Sequence, residues 1–272
     1  MLCAGRATFA ALTLLTAVSQ AHAQVAELHY DLRVDIPVLV VASGWVIGAE
    51  FARPVLAAKE CRWCELNPID DAVRDALRWS KTTPANASSS VTAYALTPLA
   101  AIGLLAWAEA HDDSLSNFWV DIMSIAQAVT ISTGVTQVFK FATARERPNV
   151  HILSEDEKSQ TSQTSNNNTS FFSGHTNFAF SLAVAAGTVA TMRNYRWAPW
   201  IWISGLVFAT ATAYFRVAGD SHYLTDVLAG AWTGAAFGIV VPYLLHRPLA
   251  EHGVSLNVSG TPGGFFVSAA WR

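Results

Sequence analysis

At 272 residues the chain has room for one large domain or two small ones, and it is 52% hydrophobic, 14% charged and carries ten Trp. Seventeen Lys and Arg against twenty Asp and Glu leave a net charge of −3, which excludes a general attraction to nucleic acid. Any anion site must therefore be a local cluster of cations, and the apolar excess points to several apolar helices rather than to an ordinary soluble enzyme.

The first 23 residues read as a secretory signal. Arg6 gives a positive start, Ala7 to Val18 an apolar stretch, and Ala21-His22-Ala23 a small-x-small cleavage site before Gln24. The alternative reading is an uncleaved anchor. Cys3 would leave with the signal, so Cys61 and Cys64 remain in C-R-W-C, which an oxidising periplasm lets pair. No second ligand pair accompanies them, so no metal site is expected.

Ile36 to Ala49 is an apolar run shorter than the ~20 residues of a spanning helix. Residues 52–90 are charged, with an amphipathic helix expected over Ile69 to Trp79 and a loop around Pro84 to Ser90. Val91 to Ala108 is a membrane-helix candidate despite Pro98, and Phe118 to Phe139 another, with Asp121 near its start in an interfacial role. The polar run over residues 159–170 reads as a flexible loop, a connector or a flap over a site. Phe178 to Met192, Trp197 to Phe215 and His222 to about Leu245 complete the helices. In the last, Asp226, Gly230, Gly234 and Gly238 recur every four residues, a stripe that lets a neighbour approach closely. Residues 254–271 alternate around T-P-G-G as a β-hairpin would.

Three short blocks carry chemistry. In K-F-A-T-A-R-E-R-P, Lys140 and Arg147 stand seven apart, about two helical turns, and Pro148 marks the helix end. In F-F-S-G-H-T, Ser173 is a natural N-cap, with Gly174 and His175 in the first turn, where free amides favour an oxyanion. In R-V-A-G-D-S-H-Y-L-T-D, a turn at Gly219 to Ser221 separates Arg216 from His222. His222 is expected to open a helix, with Asp226 four residues on along the same face.

Taken together, K-x6-R-P, S-G-H and R-x5-H-x3-D resemble the type-2 phosphatidic acid phosphatase superfamily, which includes class A acid phosphatases and vanadium haloperoxidases. The motifs span residues 140–226, and the helices extend the resemblance over 91–246. Phe172 stands where the family usually has Pro, and Phe215 where it usually has Ser.

The resemblance implies an all-α membrane bundle of five or six long helices, and the alternation over 254–271 adds a short C-terminal β-hairpin outside it. The chain then divides into a signal at 1–23, a periplasmic or membrane-proximal segment at 24–90, a phosphatase domain at 91–246 and a tail at 247–272. The resemblance also implies a lipid phosphate monoester or diphosphate phosphatase that needs no cofactor. Lys140, Arg147, Arg216 and the amides of Ser173 and Gly174 would hold phosphate. His222 would be the nucleophile, His175 the general acid, and Asp226 the partner of His222. The expected partners are a lipid phosphate and the membrane, with oligomeric state left open.

Competing readings are a soluble periplasmic acid phosphatase, a haloperoxidase, or a non-catalytic lipid-binding module. A bacterial inner-membrane location with a periplasm-facing site follows if Ile36 to Ala49 does not span. If it does, the site turns cytoplasmic, as the six Lys and Arg of residues 52–90 would favour.

Overall fold

The computed structural model describes residues 25–112, 114–249, 254–261 and 264–271; the expected signal over 1–23 lies outside the described residues. Among the described residues, eight helices of ten residues or more carry the fold. They are α1 (Leu32–Phe51), α2 (Pro68–Leu77), α3 (Thr82–Val91), α4 (Thr97–His111), α5 (Phe118–Thr143), α6 (Gly174–Met192), α7 (Ala198–Ala218) and α8 (Leu224–Leu245). Val254–Thr261 lies antiparallel to Gly264–Trp271, in the segment where a hairpin is expected; the fold class rests on the helices alone.

Among the described residues, five stretches are long and apolar enough to cross a membrane: Leu32–Phe51, Thr82–His111, Leu115–Thr143, Ala198–Ala218 and Leu224–Leu245. The first corrects the short run expected over Ile36 to Ala49. Asp31 caps α1 by accepting from the Arg33 amide at 2.9 Å, and Pro37 is accommodated within it. At 1.5 Å per residue, its twenty residues are about the thickness of a bilayer core. The loop expected at Pro84 to Ser90 is helical. α3 continues through a π turn at Thr92–Leu96 into α4, and the π turn directly before Pro98 lets the continuous helix pass a residue that lacks an amide hydrogen. The outward faces stay apolar, with Val41 71%, Leu99 71%, Trp232 77% and Leu244 73% exposed, as lipid-facing helices require.

α6 sits at the centre, packed against α4, α5, α7 and α8. The glycine stripe explains its closest approach. A Cβ at Gly230 would lie 2.7 Å from the Ser173 carbonyl, at Gly234 2.6 Å from that of Asn177, and at Gly238 2.9 Å from Val184 Cβ. Two of those obstacles are backbone, which cannot rotate away. Gly234→Ala is therefore expected to cost about 1–3 kcal/mol. Gly44→Ala, where nothing lies within 4 Å, should be neutral or mildly stabilising. Thermal unfolding of both variants in detergent measures the contrast.

Long helices that alternate in direction bring the C-terminal ends of α5 and α7 beside the N-terminal ends of α6 and α8. All three motif blocks therefore meet at one end of the bundle. The other end is closed by Asp121, which is fully buried. Its carboxylate accepts from Arg193 at 2.6 and 2.8 Å and from Tyr195 Oη at 3.1 Å.

Candidate active site

Chain reversals with left-handed residues deliver two of the blocks. α5 ends at Ala144, φ 45°, whose amide donates to Lys140 O at 3.2 Å and whose carbonyl accepts from Arg62 N at 3.0 Å. After α7, Asp220 has φ 54°. Its carboxylate takes Arg74 Nε at 2.6 Å and Nη2 at 2.9 Å, with Arg78 at 3.1 Å. α2 thus clamps the turn that presents His222. It also secures the start of α8: Asp70 accepts from the Thr225 amide at 2.9 Å and from its hydroxyl at 2.6 Å.

His222 precedes α8 instead of opening it; the helix starts at Leu224 with Tyr223 as N-cap. The one-face geometry expected for His222 and Asp226 therefore does not apply. Asp226 still turns back towards the ring, its Oδ2 lying 3.6 Å from Nδ1, beyond a hydrogen bond. Nδ1 has no hydrogen-bond partner among the described residues. On the other side of the ring, Nε2 lies 3.5 Å from Arg147 Nη1. Burial, followed by the charges of Arg147, Arg216 and Lys140, pushes the His222 imidazole well below its ordinary value. The ring is thus neutral at neutral pH, with a lone pair available.

The cations are held differently from one another. Arg147 donates Nε to Asn166 O at 2.9 Å, Nη1 to Ser221 O at 3.1 Å and Nη2 to Asn166 Oδ1 at 3.2 Å. The polar run expected to be a flexible loop is thus folded directly onto Arg147. Burial foremost and the Arg53 charge, opposed by Asp226, draw the Arg147 guanidinium down to about 10, so it remains a cation at neutral pH. Arg216 donates Nη1 to Ser89 Oγ at 3.2 Å, and its buried Nε is unpartnered among the described residues. Lys140 is buried, and no hydrogen bond or ion pair of its ammonium is found among the described residues. A Cβ on residue 174 would lie 3.1 Å from Lys140 Nζ, so Gly174 is what lets the ammonium reach the start of α6.

His175 occupies the first turn of α6, with Nε2 3.4 Å from Ser90 Oγ and its ring 4.8 Å from that of Tyr94. Burial first, and then the charges of Arg216, Lys140 and Arg147, hold its imidazole well below the ordinary value. Ser173 caps α6 as expected, its Oγ accepting from the Thr176 amide at 3.4 Å. Its own amide is not free, because it donates to Asp226 O at 3.0 Å. The expected amide contribution from Ser173 is thereby corrected, leaving the amides of Gly174 and His175 at the helix start.

The sequence reading missed Arg145, the most buried cation here. Its guanidinium donates to Asp226 at 2.5 Å, to Asp70 at 2.6 Å and to Thr225 Oγ1 at 2.7 Å. It lies between the rings of Trp63, 4.0 Å from the centroid, and Tyr223, 4.4 Å. Trp63 belongs to the C-R-W-C loop, which is closed by a Cys61–Cys64 disulfide. That loop is pinned by Arg62 N to Ala144 O at 3.0 Å and by Glu146 N to Trp63 O at 3.2 Å. Asp226 also accepts from Ser170 Oγ at 2.6 Å and Tyr223 N at 2.9 Å. Arg145 lies inside the first motif block, but its spacing signals only a helix end. Asp70 gives no signal beyond an acidic residue in the first turn of an amphipathic helix.

The family model described as PAP2 superfamily matches residues 121–249, from the first turn of α5 to just past α8. The chain is also similar to the crystal structure of a transmembrane PAP2-type phosphatidylglycerolphosphate phosphatase from Bacillus subtilis. The two share 18% identity and a TM-score of 0.47, over 73% of this chain and 94% of that one. No curated protein matches the chain.

Proposed function

We propose, from the premise that residues 121–249 belong to the PAP2 superfamily, that the chain is a membrane phosphatase acting on a lipid phosphate through a phosphohistidine. One observation carries this reading. His222 Nε2 faces Arg147 at 3.5 Å, while the charges of Arg216 and Lys140 converge on the same buried ring.

A phosphoryl group seated there would take hydrogen bonds from Arg147, from the unpartnered Nε of Arg216, from Lys140 and from the first amides of α6. His222 Nε2 attacks phosphorus in line. As the ring becomes an imidazolium, Asp226 at 3.6 Å stabilises the new charge. Once a bound phosphate offsets the cations that hold its proton affinity down, His175 protonates the departing alkoxide and then takes a proton from water, which hydrolyses the phosphohistidine. Fixed cations neutralise the equatorial oxygens, the role metal ions fill in many phosphoryl transfers.

The apolar outward faces support a lipid substrate over a soluble ester, as does an apolar cavity of about 560 Å³ between α1 and α5, lined by Pro37, Val41, Trp45, Gly134 and Val138. The Cys61–Cys64 bond supports a site facing an oxidising compartment such as the periplasm, since disulfides persist there. A spanning α1, whose last turn lies at the site end, then starts on the cytoplasmic side, which sets this facing against a cleaved signal.

Orthophosphate release from lipid phosphates in detergent, with excess EDTA and with or without vanadate, tests the reading. Turnover should survive EDTA and fall with vanadate, a mimic of pentavalent phosphorus. Complete loss in EDTA would refute the metal-independent mechanism. His175→Ala separates the acid role from simple binding. Loss of about 10²–10⁴-fold is expected for an alkyl phosphate and far less for an activated aryl phosphate. Equal losses would refute the assignment.

A further inference from the structure

α1 is followed at once by the single turn Arg53–Leu56, which carries Pro54 in its first turn and lies outside the family match. That turn sets Arg53 on the rim of the cation cup. Arg53 Nη1 is 3.4 Å from Asn166 Oδ1, the same oxygen that accepts from Arg147 at 3.2 Å. Arg53 Nη2 pairs with Glu50, whose Oε2 also accepts from Gln137 Nε2 at 3.3 Å, one turn before Lys140 on α5. One asparagine oxygen therefore links the two guanidinium groups, and one carboxylate ties Arg53 to α5.

An i,i+3 ion pair on a helix is usually exposed and contributes little. Here the Arg53 side chain is only 17% exposed, against 52% for Glu50. Its charge acts on Lys140, Arg147 and Tyr94. Four cations, Arg53, Lys140, Arg147 and Arg216, thus share a small region with Glu50 and Asp226, and Asp226 is committed to Arg145. Like charges so gathered are unfavourable until an anion joins them, and a second phosphoryl group would bring the oxygens to meet the fourth cation.

We propose that Arg53 binds the second phosphoryl group of a lipid diphosphate whose terminal group occupies the cup, giving preference over the monophosphate of the same chain. The inference rests on the reading of the cup as a phosphate site. The hydrocarbon chain would leave along the α1–α5 cavity, whose Val138 is two residues from Lys140. In turnover, the bond from the terminal phosphorus to the bridging oxygen breaks as the bond to His222 forms. The lipid phosphate departs with a proton from His175, and water then releases orthophosphate.

The test compares the full chain in detergent with Arg53→Gln and Arg53→Lys. Calorimetric titration with pyrophosphate and with orthophosphate should show tighter pyrophosphate binding in the wild type. Arg53→Gln should cut that preference about tenfold, the scale of a lost charge-assisted hydrogen bond, and Arg53→Lys should restore part of it. In turnover, the ratio of kcat/KM for a polyprenyl diphosphate over its monophosphate should fall about tenfold in Arg53→Gln, through KM. Equal losses for both anions, or none, overturn the proposal. An effect confined to free pyrophosphate overturns the lipid assignment. A wild type that prefers pyrophosphate but hydrolyses neither lipid would sink the hydrolase reading and leave the Arg53 subsite standing.

Discussion

Replacing His222 with alanine should abolish phosphate release, lowering kcat by roughly 10⁴-fold or more, the scale seen when a covalent nucleophile is removed. Vanadate or phosphate affinity should change far less, because Lys140, Arg147 and Arg216 remain. The ring donates nothing to the fold that alanine would leave stranded: Nδ1 has no hydrogen bond among the described residues, and Nε2 meets only Arg147. Thermal unfolding should accordingly shift little, so an inactive variant reports chemistry. Rapid quenching at alkaline pH, where a phosphohistidine survives, should trap labelled phosphate on the wild type and not on His222→Ala. Retention of most activity would remove His222 from the nucleophile role.

Arg145→Leu should produce the second large effect, mainly on stability. The guanidinium is 1% exposed and bridges Asp226 and Asp70, which are themselves buried. Removing one partner of a buried ion pair costs about 3–5 kcal/mol, because a desolvated charge is left behind. Here two carboxylates lose their shared cation. Asp226 would keep Ser170 and the Tyr223 amide, and Asp70 would keep Thr225.

Arg145→Lys should rescue only partly, since a single ammonium cannot address two carboxylates as a planar fork does. The double variant Arg145→Leu/Asp70→Asn should recover part of the loss, having one less uncompensated charge. Unfolding midpoints in detergent for the three variants check this order. An Arg145→Leu protein as stable as the wild type would mean that the bridge contributes nothing net. Activity should fall along with stability, as Asp226 is the carboxylate nearest His222.

Much of this site could be read along the chain because motif residues sit at helix ends. Lys140 near the end of α5, Ser173-Gly174-His175 at the start of α6, Arg216 near the end of α7 and Asp226 at the start of α8 need only helices of alternating direction to meet. Helix length and hydropathy are local properties, so the bundle follows from them. The glycine stripe is equally local: a missing Cβ every fourth residue marks a face where backbone can approach, whatever the partner. The sequence thereby determined which end of the bundle holds the charges, and which residue types gather there.

Only the tertiary structure decided how those charges are shared out. Asp226 looked like the partner of His222, yet both its carboxylate oxygens serve other groups, Oδ1 taking Arg145 and Oδ2 taking Ser170 and the Tyr223 amide. The Ser173 amide went to Asp226 rather than to a ligand, and a segment read as a loop became α3, supplying Ser89 and Ser90 to Arg216 and His175. Asp70, Arg74 and Arg53 come from stretches with no motif at all. The physical reason is that a buried charge must find a compensating group wherever the fold places one. That choice is made through space, across separations of 75 to 146 residues for Arg145–Asp70 and Arg74–Asp220, where no periodicity along the chain can register it.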